Sequence, residues 1–146
     1  MMEARMDPYK LVPGSLKAML DLQAVVDNCG LDKHLGELIK IRASQINGCV
    51  YCLNMHTRDA RKLGETEQRI YALSACHEAP YYTDKERAAL ALTESVTLLS
   101  STHVPDEVYN EALKVFTQQE VAQILMAIVV INAWNRLAVT ARKQPD

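Results

Sequence analysis

Cys49-Val50-Tyr51-Cys52, with His56 four residues after the second cysteine, is the densest cluster of reactive side chains in this sequence. Two thiols three positions apart and an imidazole one turn further on make a compact unit for redox chemistry or metal binding. Asn47-Gly48 immediately precedes it and reads as a turn, so the motif opens a helix. There the positive end of the helix dipole and free backbone N–H groups favour a thiolate. His56 shares a helix face with Cys52 and lies seven residues, roughly 10 Å of rise, from Cys49. As a base it therefore serves Cys52. Helix electrostatics alone point the other way, because Cys49 is nearer the helix start.

The elements that position these groups are helices throughout. Pro13-Gly14-Ser15 precedes a periodic segment with Leu16, Met19, Leu20 and Val26 that ends near Gly30. Asp32 caps a second helix with an apolar stripe of Leu35, Leu38, Ile39 and Ile46. The third runs from the motif to about Leu63, with Gly64 as its stop. A short helix follows Thr66, and the stretch from Ala75 to Tyr82 reads as a long loop. Thr83-Asp84-Lys85-Glu86 is a capping box opening a helix through Leu99. Pro105-Asp106 starts another, and Thr117-Gln118-Gln119-Glu120 repeats the capping box before a last helix from Val121 to about Arg142. No alternating strand pattern competes, so the fold class is all-α. A thioredoxin fold, which also carries Cys-x-x-Cys, needs a βαβ arrangement that is missing here.

The second and third helices are joined only by Asn47-Gly48 and should form a tight antiparallel hairpin. Glu37 lies roughly 15 Å up one arm and His56 roughly 12 Å up the other, at about the same level. That places a carboxylate where it can orient the imidazole, and the imidazole where it can serve a thiol. The competing reading makes Glu37 a solvated partner of Lys33 or Lys40. Glu94 sits in an apolar context and is left to an ion pair or the surface. Cys29 and Cys76 have no local partner and read as small packing residues. The last helix is apolar on more than one face, through Ile124, Leu125, Ile128, Val129 and Leu137, and should be central or covered by another subunit.

Composition bounds the rest. The 146 residues, 49% hydrophobic and 23% charged, suffice for one domain, residues 1–146, with its own core. A net charge of −2 gives no electrostatic footprint for nucleic acid or an anionic membrane. The start of the chain lacks a signal-peptide pattern, and the clean apolar run from Ile124 to Ile131 is too short to span a bilayer. The expectation is a cytoplasmic protein with reduced cysteines, in which Cys-x-x-Cys is catalytic or metal-binding rather than a staple.

Glu37, an interval of eleven residues, Cys49-Val50-Tyr51-Cys52, three more and His56 together resemble the core signature of the AhpD-like alkylhydroperoxidases of the carboxymuconolactone decarboxylase-like superfamily. Thr57-Arg58-Asp59-Ala60-Arg61-Lys62-Leu63-Gly64 and Ile131-Asn132-Ala133-Trp134-Asn135-Arg136-Leu137 are similar to that family as well, so the likeness spans roughly residues 15 to 142. The resemblance implies an all-helical protomer that assembles into a homotrimer or homohexamer without a bound cofactor. It implies a peroxidase acting on a hydroperoxide substrate, with an external dithiol as reductant. By motif position Cys52 is then the peroxidatic thiol, Cys49 the resolving thiol, and Glu37 with His56 the proton relay. One departure is Tyr51, where some members carry a histidine; a phenol with a pKa of about 10 is a poor base at neutral pH. Two rivals remain. One is general thiol–disulfide exchange without peroxidase activity. The other is zinc held by Cys49, Cys52 and His56, with a fourth ligand from His34, Cys76, His77 or His103. Decarboxylase or lactone chemistry has no evident use for a vicinal dithiol.

Overall fold

A computed structural model describes residues 2–146. Its elements are α1 (Pro8–Leu11), α2 (Ser15–Asp27), α3 (Lys33–Asn47), α4 (Val50–Lys62), α5 (Glu67–Ala72), α6 (Asp84–Thr97), α7 (Leu99–Thr102), α8 (Asp106–Val115) and α9 (Gln118–Ala141). There is no strand among the described residues. The expected caps form: Asp32 accepts from the Leu35 amide, and Thr83 and Thr117 close complete capping boxes with Glu86 and Glu120. Each such cap is worth about 1 kcal/mol of helix stability.

Helix α3 is the spine, packed against α4, α6 and α9. Leu35, Leu38, Ile39, Ile41 and Ala43 are all buried, on every side of the helix. The expected stripe was therefore too narrow. Ile41 is fully buried and Ile46 only partly so, because α4, α6 and α9 enclose α3 rather than one partner covering one face. Each large aliphatic side chain so enclosed contributes about 1.5–3 kcal/mol. Gly48 ends α3 with φ at +65°, a left-handed turn that lets α4 fold straight back along α3.

Four boundaries differ from the expectation, the simplest being the start of α9 at Gln118, directly after its Thr117 cap, and not at Val121. α1 is an additional short helix, started by Asp7 accepting from the Tyr9 and Lys10 amides with Pro8 at its first position. α6 stops at Thr97 instead of running through Leu99; the Thr102 hydroxyl donates to the Ser95 carbonyl at 2.6 Å and ties the separate turn α7 back onto it. The loop after α5 begins with a 3-10 turn at Leu73–Ala75 and is held by Arg87, which donates to the Cys76 and Ala79 carbonyls.

Helix α9 is half core and half surface. Ile124, Ile128 and Ile131 are buried, while Leu125, Met126 and Val129 are exposed. It is the one helix among the described residues with the length and composition to cross a membrane, at a mean hydropathy of 1.6. Its contacts with α2, α3, α4 and α6, and two asparagines hydrogen-bonded inside the protein, are those of a core helix.

Candidate active site

The α3–α4 hairpin brings the predicted residues together. Cys49 is the N-cap of α4, and its sulfur accepts from the Cys52 amide at 3.4 Å. The two sulfurs are 2.8 Å apart and both cysteines are free thiols. Beneath them lies a polar network that the sequence reading did not assign. The Asn135 amide donates to the Ser44 hydroxyl at 3.0 Å, and Asn47 donates to the side-chain oxygens of Asn132 and Asn135, each at 2.9 Å. Asn135 is fully buried yet completely paired. Two asparagines three apart in an otherwise apolar helix were the available signal, since such residues must find partners inside.

This arrangement fixes the charge of the pair. A hydrogen bond from the Cys52 thiol, outweighing the opposing effect of burial, pulls Cys49 down to about 6, and the Asn135 amide helps. The same bond, with burial, pushes Cys52 upward. One negative charge is thus held across the sulfur contact and rests on Cys49, the sulfur at the helix start, as the dipole argument expects.

Access separates the two cysteines in the other sense. Both are buried in one cluster with Ala43, Ile131 and Ala138, but a cavity of about 720 Å³ is lined by Cys52, Glu37, His56, Lys40, Tyr51 and Trp134, among others, and not by Cys49. Glu37 Oε2 lies 3.0 Å from His56 Nδ1, and Glu37 Oε1 lies 3.1 Å from Lys40 Nζ. Glu37 thus contacts both the imidazole and Lys40, and its carboxylate is buried, not the solvated partner of the competing expectation. Burial pushes its pKa up, but the His56 bond and the Lys40 charge outweigh that and hold it below the ordinary carboxylate value. An ionised Glu37 on Nδ1 keeps a proton there and leaves Nε2 as the basic nitrogen. Among the described residues no hydrogen bond joins His56 to either sulfur, so a proton passing between them needs a water or the substrate as bridge.

Tyr51 forms part of the cavity wall, with Lys143 Nζ 4.2 Å from its ring centroid. The chain ends frame the opening: Tyr9 meets Trp134 edge-on at 6.3 Å, and the Arg5 amide donates to the Ala141 carbonyl at 3.0 Å.

Two sequence expectations need correction. The groups able to hold a metal among the described residues are Glu37–His56–Asp59 and Cys76–His77–Glu94; neither includes Cys49 or Cys52, so the proposed zinc set is not assembled. Cys76 is not a mere packing residue, because its sulfur lies 3.5 Å from Glu94 Oε1. That partner comes from α6, eighteen residues away, beyond the reach of local spacing. Glu94 itself is ion-paired, to Arg42 at 2.9 Å and to His77, as expected.

Residues 13–95 match the model of the carboxymuconolactone decarboxylase family. An uncharacterised protein of Bacillus subtilis, YdfG, is 42% identical over 138 residues, covering 94% of each chain. The alkyl hydroperoxide reductase AhpD of Streptomyces coelicolor is 40% identical over 81 residues, covering 53% of this chain and 45% of that protein. Among solved structures, a protein of unknown function from Agrobacterium tumefaciens, described as a candidate AhpD antioxidant defence protein, superposes with a TM-score of 0.95 at 38% identity over 99% of both chains.

Proposed function

We propose that this chain, which belongs to the carboxymuconolactone decarboxylase family, is a thiol peroxidase that reduces alkyl hydroperoxides or hydrogen peroxide. The observation that carries the reading is the reduced sulfur pair at 2.8 Å, one member of which lines a cavity shared with a glutamate-bound histidine. The similarity to AhpD proteins supports it.

The reaction begins when the proton shared by the pair moves to Cys49, leaving the charge on Cys52, the sulfur that a peroxide in the cavity can meet. The Cys52 thiolate attacks the distal oxygen of ROOH; the S–O bond forms, the O–O bond breaks, and the leaving alkoxide takes a proton from the His56–Glu37 relay. Cys52 is now a sulfenic acid. Cys49 attacks that sulfur, the S–O bond breaks, and water leaves as the Cys49–Cys52 disulfide forms. An external dithiol returns two electrons by exchange.

Single-turnover reaction of the reduced protein with a panel of hydroperoxides, with sulfenic acid trapping, tests the reading. Reaction well above the rate of free cysteine is expected. Thiols that exchange with protein disulfides but meet peroxide no faster than free cysteine would make general disulfide exchange the better account.

The same family reading extends to assembly as a homotrimer or homohexamer. The exposed Leu125, Met126 and Val129 of α9 and the exposed Leu98 and Leu99 supply apolar surface for it. Light scattering should give a mass several times 16.4 kDa; a stable monomer at micromolar concentration would refute this.

A further inference from the structure

We propose that Cys76, His77 and Glu94 form a zinc site separate from the dithiol. Cys76 Sγ lies 3.5 Å from Glu94 Oε1, His77 Nε2 is bonded to Glu94 Oε2, and the three ligand atoms lie within 4.8 Å of one another. Zinc with bonds of about 2.0–2.3 Å holds its donors about 3.3–3.7 Å apart. The sulfur stands at that separation from Oε1, the oxygen Arg42 holds. The carboxylate must therefore pivot about Oε1 to bring Oε2 to the metal, and the imidazole must move with it. The His77 side chain is the exposed partner, at 64%, against 19% for Glu94 and a buried Cys76.

The surroundings hold the two inner ligands in place. Arg42 Nε fixes Glu94 Oε1 at 2.9 Å, leaving Oε2 for the metal, and Arg87 donates to the carbonyl of Cys76 at 2.9 Å. Partners of this kind orient metal ligands. One sulfur, one imidazole nitrogen and one carboxylate oxygen select zinc over magnesium or calcium, which take oxygen alone. On binding, the Cys76 thiol loses its proton to solvent as the Zn–S bond forms, and the metal replaces the bridge between His77 and Glu94. Two anionic donors then balance the zinc charge, with Arg42 still paired to the outer oxygen. Solvent supplies the fourth ligand on the His77 side, the three-plus-water pattern of exchangeable zinc sites. Glu37–His56–Asp59 is the weaker candidate, since it has no sulfur.

The test is cobalt titration of the full chain carrying Cys49→Ser and Cys52→Ser, reduced and free of oxygen, followed by displacement with zinc. One equivalent of cobalt should bind with a thiolate-to-cobalt charge-transfer band and tetrahedral visible bands, both removed by zinc. Cys76→Ser in that background should abolish the charge-transfer band. His77→Ala, an exposed change that leaves the fold intact, should weaken binding about tenfold or more, the usual cost of losing a ligand or its orienting partner. Absence of the charge-transfer band would overturn the proposal, as would a band that survives Cys76→Ser or binding unchanged by His77→Ala. Because the dithiol is absent from this protein, the outcome is independent of the peroxidase reading.

Discussion

The dithiol and Cys76 are built from the same three kinds of side chain, cysteine, histidine and glutamate, but connected differently. At the dithiol, Glu37 bonds His56 and Lys40, and the sulfurs are left to each other and to amide and hydroxyl donors. At the second cluster, Glu94 lies against His77 and against the sulfur itself. Cys49 is drawn down to about 6, chiefly by the thiol beside it. Cys76 is pushed up to about 11, first by burial and then by the Glu94 charge. A carboxylate that bonds an imidazole and leaves the thiol alone prepares a base; a carboxylate in contact with the thiol keeps it protonated. The first arrangement suits attack on a peroxide, and the second leaves a sulfur that only a metal ion would deprotonate at neutral pH.

The largest effect should come from dividing the dithiol. Cys52→Ser removes the sulfur that lines the cavity and should abolish the first turnover. Cys49→Ser should keep that step, accumulate a trappable Cys52 sulfenic acid and then stall or over-oxidise. Sulfenic acid formed on Cys49 in the Cys52→Ser variant at the wild-type rate would mean that charge, not access to the cavity, selects the attacking sulfur. The comparison between the two clusters would then rest on helix position alone.

Next in size is the separation of the two titrations. In chelator-treated protein, thiolate absorbance should rise with an inflection near pH 6 that Cys49→Ser and Cys52→Ser both displace upward. Cys76 should stay protonated through neutral pH and give its own inflection near pH 11. At pH 7 the thiolate fractions should differ by about 10⁴, since each pKa step is a factor of ten. The sign is that of a favoured thiolate: dithiol reactivity is present above pH 6 and lost as pH falls through it. Two inflections within a unit of each other would erase the contrast.

Much of the first cluster was legible because its geometry is local. One turn at Asn47-Gly48 relates Glu37 to His56, and helix rise alone put them at the same level, where the structure has them 3.0 Å apart. The second cluster was not legible, because Cys76, Glu94 and Arg42 meet only after α3, α6 and the loop before α6 have packed. The donors under the dithiol were missed for a similar reason. Ser44 lies one turn before the motif, but its partner Asn135 arrives from ninety-one residues away. The capping boxes fixed helix starts well. The break after Thr97 was invisible, since it depends on a hydroxyl bond from Thr102 back to the Ser95 carbonyl.

Glu37→Gln should be the third effect. It preserves volume and a hydrogen bond but removes the charge of the carboxylate that orients His56. Peroxide reduction should fall by about 10²–10⁴, the usual contribution of general acid–base catalysis. Stopped-flow single turnover with the dithiol intact by mass spectrometry measures it. A rate within twofold of wild type would leave Glu37 as a buried partner of Lys40 and dissolve the distinction between the two carboxylates.

The smallest effect concerns Lys143, whose ammonium lies over the Tyr51 ring between the two cysteines and lines the same cavity. A cation on an aromatic face at a partly exposed site is worth about 0.5–1 kcal/mol, or roughly a two- to fivefold change in rate if it serves only to hold the ring. Lys143→Ala should therefore slow the first turnover by no more than that, and Lys143→Arg, which keeps the stacking cation, should restore it. The Cys49 inflection should stay near pH 6 in both variants, because Lys143 is not among the groups that lower it. If Lys143→Ala instead cost a hundredfold and moved that inflection upward, the dithiol would owe its reactivity to a lysine charge. The contrast with Cys76 would then lie in nearby cations and not in where each glutamate points.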